Sequence, residues 1–220
     1  MMKIQEVILL ASELEQLKYF YHETLGLPLQ ENTSASISFV AGASVLTFKH
    51  DPAVIRPYYH FAFNISANKF DSALDWLKQK GIAINLVDGS EVVYSKSWNS
   101  HSVYFYDPVE NIVEFIARHN LSADSSTTEF SAQDILNISE IGIPAEDVLA
   151  LSKQIQNYSG EEIYQAGDSI FTPIGDEEGL FILSALTRNW LGSAKKVAVF
   201  SIRMRIRFRQ NTSDHLLDYP

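Results

Sequence analysis

Tyr58-Tyr59-His60-Phe61-Ala62-Phe63-Asn64-Ile65 reads as a β-strand with two unlike faces. Alternate side chains of an extended chain point to opposite sides. Tyr59, Phe61, Phe63 and Ile65 make one side apolar, suited to covering a helix. His60, Ala62 and Asn64 make the other small and polar, suited to the wall of a cavity. A helical pattern follows from about Asn68 to Lys80, with Phe70, Leu74 and Leu77 on one face, and Gly81 ends it.

The same order occurs twice more. Upstream, Ile4 to Ala11 is followed by a helical pattern from Glu13 to Leu25 and by Gly26; downstream, Ile135 to Ile143 is followed by Ala145 to Asn157 and by Gly160. Ser12 and Glu15 are spaced as a capping box, and Pro144 stands where a first-turn proline is tolerated. Short alternating runs come after each helix: Ala35–Val40 and Ser44–Phe48 in the first unit, then Ile82–Val87, Glu91–Tyr94, Ser102–Tyr106 and Ile112–Ala117 in the second. In the third they are Glu162–Gln165, Ser169–Pro173, Leu180–Leu186 and Lys195–Phe208.

The repeat predicts an α+β fold of βαβββ modules, two of them forming a cup-shaped mixed sheet with helices outside, plus a third βαβββ-like unit. The expected divisions are paired modules over 1–118 (1–50 and 57–118), a linker over 119–133, the third unit over 134–210 and a tail over 211–220. An odd module lacks a partner, so the third is expected to pair with its copy in a homodimer.

The chain has 220 residues, 46% hydrophobic and 20% charged, an ordinary folded composition. It has no cysteine, which removes disulfides, thiolate metal sites and thiol nucleophiles. A metal would be held by His, Asp, Glu or a carbonyl. The formal charge of -10 speaks against a nucleic-acid partner. With neither a signal-peptide pattern nor a membrane-length apolar run, a cytoplasmic protein without a membrane partner is expected.

Glu114 stands between Ile112 and Ile116 on one side of its strand, and Glu6 begins the face that continues with Ile8 and Leu10. His60 follows Glu6 by 54 residues, and Glu114 follows His60 by 54. Paired modules would bring the three into one hollow, where two carboxylates and an imidazole call for a cation between them. Glu6, His60 and Glu114 are therefore the expected ligands of a divalent metal, able to polarise a substrate oxygen. Each also has a plainer reading: a solvated carboxylate at Glu6 or Glu114, a hydrogen-bonded core histidine at His60.

The stretch Tyr104-Phe105-Tyr106-Asp107-Pro108-Val109-Glu110-Asn111-Ile112-Val113-Glu114-Phe115 resembles the Asp-Pro-x-Gly-Asn-x-x-Glu signature of the vicinal-oxygen-chelate superfamily, which includes glyoxalases, bleomycin-resistance proteins and extradiol dioxygenases. The opening Glu6-Val7-Ile8-Leu9-Leu10, with Leu25-Gly26-Leu27 after it, is similar to the family's first strand and helix. The resemblance covers residues 3–118 and is weaker over 135–209, where Glu140 matches Glu6. It implies a small-molecule substrate, a divalent metal (Fe, Mn, Ni or Zn) and lyase, isomerase or ring-cleavage chemistry. Glu6 stands where the family usually has His or Gln, and Glu110 replaces the turn glycine, at a cost of about 1 kcal/mol if that position needs positive φ.

Around this set, Glu114 and His101 are the candidate catalytic acid–base groups, and Trp98, Tyr104 and Asn64 are candidates for the substrate wall. A metal-free binding protein of the bleomycin-resistance type is the alternative, and a structural module without a site is the third reading. Glu140 reads as structural, Gly175 to Gly179 as a turn. The alternating run Ile202 to Arg209 reads as a half-buried strand whose arginines guard an edge.

Overall fold

The computed structural model describes residues 1–121, 124–211 and 213–220. Positions 122 and 123 of the expected linker and position 212 of the expected tail lie outside the described residues. The first module comprises β1 (Lys3–Ala11), α1 (Leu14–Lys18) continued by a π-helical turn (Tyr19–Thr24), β2 (Leu29–Asn32), β3 (Ser36–Ala41) and β4 (Ser44–His50). The second comprises β5 (His60–Ile65), α2 (Phe70–Gln79), β6 (Ile84–Asn85), β7 (Val93–Ser95), β8 (Ser100–Tyr106) and β9 (Ile112–Arg118). The third comprises β10 (Ile135–Ala145), α3 (Val148–Ser159), β11 (Phe171–Asp176) and β12 (Gly179–Ala185). β13 (Ile202–Arg207) and β14 (His215–Tyr219) follow.

The strands form two mixed sheets, in the orders β14-β13-β1-β4-β3-β2 and β11-β12-β10-β5-β9-β8-β6, with β7 beside β8. The modular α+β architecture is as expected, but the partners differ. The second module shares its sheet with the third through antiparallel β5 and β10, while the first is extended by β13 and β14. Modules one and two therefore close no common cup, and the reason for expecting a dimer falls away, because β10 finds its partner within the chain.

Local chemistry explains further differences. Gly26, Gly81 and Gly160 do end their helices at positive φ. Glu13, not Ser12, is the cap of α1 and makes no side-chain cap bond, so the capping box does not form. Asp147 caps α3 by accepting from the Ala150 amide, which leaves Pro144 in β10. The arginines of β13 are exposed as expected, but the strand is interior to its sheet: Arg203 pairs with Asp218, Arg205 with Glu6 and Arg207 with Asp214. The tail contains β14 because Leu217 and Tyr219 pack onto the main core.

A bulge decides which residues of β10 face the cup. Ile138 and Ile141 are three apart yet both belong to the main core, and the β5–β10 register shifts between Ile138 and Glu140. The extra residue switches the alternation, turning Glu140 to the opposite face. β1 repeats the device: Ile4 and Val7 are both core, with a register shift between Ile4 and Glu6. Ser44 ties the two bulged strands together, donating to the Ile4 carbonyl at 2.6 Å and accepting from the Ile138 amide at 3.0 Å. The preceding turn needs Gly42, whose φ is 59° and whose Cβ would lie 2.0 Å from the Leu136 carbonyl oxygen.

Candidate functional site

The Asp107-Pro108-Val109-Glu110-Asn111 turn fixes the start of β9. Asp107 Oδ1 accepts from the amides of Val109 (3.1 Å) and Asn111 (2.9 Å), and its Oδ2 accepts from Asn111 Nδ2 (2.7 Å) and the Tyr21 hydroxyl (2.8 Å). Burial nonetheless pushes the Asp107 carboxyl up to about 6 against these bonds. Asn111 Oδ1 in turn accepts from the Tyr59 amide at 2.9 Å, fastening the turn to β5. Glu110 sits at φ 70°, the left-handed geometry a glycine would favour, and its carboxylate meets Lys195 Nζ at 2.6 Å.

Pairing then lines up the site. In one row across the sheet, Glu140 lies opposite Ala62, Ala62 opposite Glu114, and Glu114 opposite Tyr104. Ala62 is a single methyl between two carboxylates, so they can lean toward each other over it. His60, two residues back along β5, completes the group. Ligand atoms of His60, Glu114 and Glu140, all buried, lie within 4.8 Å of one another.

The electrostatics follow from burial. His60 Nδ1 lies 3.2 Å from the Ile112 carbonyl, to which it can only donate, so Nε2 carries the lone pair and stands 3.7 Å from Glu114 Oε2. Burial lowers the His60 pKa to about 4 against the help of the Ile112 carbonyl, with Arg188 lowering it further. Burial, then the charge of Glu140, raises Glu114 to about 8, against the pull of Ser102, Arg118 and Tyr104. Glu140 is also raised by burial, with Arg118 opposing. The Glu140 and Arg118 side chains are 4% and 0% exposed and form an ion pair through Glu140 Oε1 and Arg118 Nη2. Burial thus favours a proton on the Glu114–Glu140 pair, and Arg118 offsets the charge that remains.

A cavity of about 650 Å³ opens over this group, within the usual range for small-molecule sites. Its lining includes Trp98, Tyr104, Phe171, Ile182 and Trp190, together with Ser102, Ser184 and Arg188. Trp190 reaches in from the segment between β12 and β13, its ring 5.4 Å from that of His60. Trp190 Nε1 and Ser184 Oγ are buried without a hydrogen-bond partner among the described residues.

His60 and Glu114 meet as expected, and Trp98 and Tyr104 line the cavity. Glu6 is not brought to them. It lies on the other sheet, where its carboxylate accepts from Thr47 Oγ1 (2.9 Å) and Arg205 Nη2 (2.6 Å). Arg205 is opposite Glu6 in register, the place Ala62 holds opposite Glu140, so a cationic side chain fills that hollow. His101 also fails to reach the cup. Odd-numbered residues of β8 face α2, and its ring packs on Phe70 and Tyr94 with Nδ1 2.7 Å from His119 Nε2. Asn64 is buried and fully engaged, donating to Asn137 and the Glu177 carbonyl and accepting from Arg118 Nε, so it positions Arg118 rather than a ligand. Sequence reasoning missed Glu140, Arg118, Ser184 and Trp190. For Glu140, its match to Glu6 at the head of a repeat was a usable signal.

A sequence model of the Glyoxalase/Bleomycin resistance protein/Dioxygenase superfamily matches residues 3–115. The chain belongs to this superfamily. A search of curated protein sequences finds no match. Among solved structures, a candidate dioxygenase from Bacillus subtilis is similar with a TM-score of 0.63 at 16% identity over 83% of this chain. The match spans 63% of the Bacillus chain, less than two thirds of its length. A glyoxalase I point mutant from Zea mays gives a TM-score of 0.57 at 15% identity, covering 84% of this chain and 68% of its own. These likenesses concern the fold.

The superfamily context gives the His60–Glu114–Glu140 group a test of fit to a divalent ion. The donor chemistry fits: one imidazole with its lone pair directed inward and two carboxylates, all within 4.8 Å. The surroundings fit as well, since the Ile112 carbonyl fixes the histidine tautomer and Arg118 orients Glu140, the supporting bonds that metal ligands commonly have. Among the described residues no helix is long and apolar enough to cross a membrane.

Proposed function

We propose that this superfamily member is a divalent-metal-dependent enzyme acting on a small oxygen-bearing organic molecule, with His60, Glu114 and Glu140 holding the metal. The carrying observation is the convergence of these three buried groups from three adjacent strands at the floor of a 650 Å³ cavity. The ion, when bound, supplies Lewis-acid polarisation of a substrate oxygen. Manganese, iron, nickel and zinc all suit one nitrogen and two oxygen donors.

The protein's own groups do the rest. Glu114 has to give up its proton for the carboxylate to act as a ligand, so occupancy rises with pH. The same carboxyl, raised to about 8, suits proton transfer near neutral pH. Ser102 and Tyr104 bear on it from β8. Trp190 covers His60 from above, which keeps bulk water from the imidazole. Isomerisation, ring cleavage and addition to an activated carbon–oxygen centre are the reactions this arrangement suits.

Elemental analysis of protein purified without chelators tests the reading. A divalent ion approaching one equivalent is expected, lost in Glu114→Ala and His60→Ala and retained in Glu6→Gln. A second reading, a metal-free small-molecule binder, is favoured by the proton that burial places on the Glu114–Glu140 pair. It takes over if the protein stays metal-free after incubation with manganese, iron, nickel and zinc.

A further inference from the structure

We infer that Arg188 is the specificity residue of this cavity and that the preferred ligand is a planar, largely apolar molecule bearing a carboxylate. The inference deepens the proposed function by naming a substrate class for the same cavity. Arg188 lines that cavity alongside Trp98, Phe171 and Trp190. Its guanidinium lies 4.9 Å from the Phe171 ring centre, and its Nε donates to the Asn189 carbonyl at 3.2 Å. Those two contacts fix the group's plane.

The outer nitrogens of Arg188 make no hydrogen bond or ion pair among the described residues. No other cavity group forms an ion pair with it among the described residues, although the charge of Asp168 favours its charged form from a distance. Asp168 also lines the cavity, but its Oδ1 is engaged by the amides of Ile170 and Phe171, at 2.7 and 2.8 Å, and it forms no ion pair with Arg188. Glu140 is matched by Arg118. A half-buried guanidinium with a free fork suits a carboxylate, which it can grip through two parallel bonds.

The rest of the wall sets the body of the ligand. Trp98, Phe171 and Trp190 make the wall aromatic, with Arg188 over one face of Phe171 and Arg118 over one face of Trp98. The unpartnered Trp190 Nε1 and Ser184 Oγ are buried and can serve a second oxygen without displacing any protein bond. A ligand without a polar end would leave these groups and the Arg188 fork unsatisfied, which disfavours it.

The test is calorimetric titration of the full chain with benzoate and with benzamide, which differ in the carboxylate charge. It is run on protein as purified and again after chelator treatment, so that a metal cannot grip the acid. Wild type is expected to bind the acid at least tenfold more tightly than the amide in both states. Arg188→Met should weaken binding of the acid at least tenfold more than binding of the amide, with metal content unchanged, and Arg188→Lys should restore part of the preference. Equal affinity for acid and amide, no binding of either at millimolar concentration, or a preference that vanishes with the chelator would each overturn the inference. A protein that never holds metal yet keeps the acid preference refutes the metal reading and leaves this one standing.

Discussion

Removing Arg118 alone should destabilise the protein far more than removing Arg118 and Glu140 together. The Arg118 and Glu140 side chains are 0% and 4% exposed, and the guanidinium also donates to Asn64 Oδ1 at 3.2 Å and lies 5.2 Å from the Trp98 ring centre. Arg118→Met leaves Glu140 buried beside Glu114 without a counter-charge. Breaking a buried pair in this way costs about 3–5 kcal/mol, with about 1 kcal/mol more for the lost cation–π contact. In a chain of this length that lowers Tm by on the order of 10 °C. The Glu140 carboxyl, already raised by burial, would rise further without Arg118. It would then bind its proton in the folded state over a pH range where the unfolded state does not. The destabilisation should therefore grow with pH, by up to about 1.4 kcal/mol per unit. Arg118→Met with Glu140→Gln leaves a neutral amide instead of a stranded charge, and the double variant should be more stable than Arg118→Met alone by about 2 kcal/mol or more. Chemical denaturation at pH 6 and pH 8 on chelator-treated protein measures all four species. Additive single costs, or an Arg118→Met penalty that does not change with pH, would refute the reasoning.

Other outcomes follow from the same cup. Glu114 is raised to about 8, so metal-free protein should lose about 2 kcal/mol between pH 6 and 8 that Glu114→Gln does not lose; thermal melts of the pair at both values measure the difference. His60, lowered to about 4, acts in the opposite sense as pH falls below 6.5, but it is common to both proteins and cancels. A Cβ on Gly142 would meet the Trp190 ring at 2.5 Å, so Gly142→Ala should displace that ring, cost about 1–3 kcal/mol and change tryptophan emission. His101→Ala should leave metal content and ligand binding unchanged, since its ring packs on the far side of β8; titration of the variant checks it.

Where alternation runs unbroken, the strand faces could be read directly. His60 and Ala62 were assigned to the cavity side of β5, and Glu114 to the same side as Ile112 and Ile116, from the pattern alone. The β10 assignment was out of reach, because the bulge after Ile138 reverses the alternation and bulges have no residue signature here. The choice of partner module was also illegible: it depends on which sheet edges meet, not on any local run. The equal 54-residue spacing that favoured Glu6 reflects the repeat length rather than proximity. His101 stands three residues from Tyr104 on one regular strand, so the two cannot share a face.

The pairing of β1 with β13 joins Glu6 to Arg205 across 199 positions of sequence. A ribosome releasing the chain from its amino end would expose β1 with one bare flank until residues near 207 had been made. The opening module is thus held waiting on the closing strands, and its assembly belongs to the slow, late phase that distant contacts impose. Sequence changes in β13 would then be felt first as a delay in folding, in a sheet separate from the one that bears the cavity.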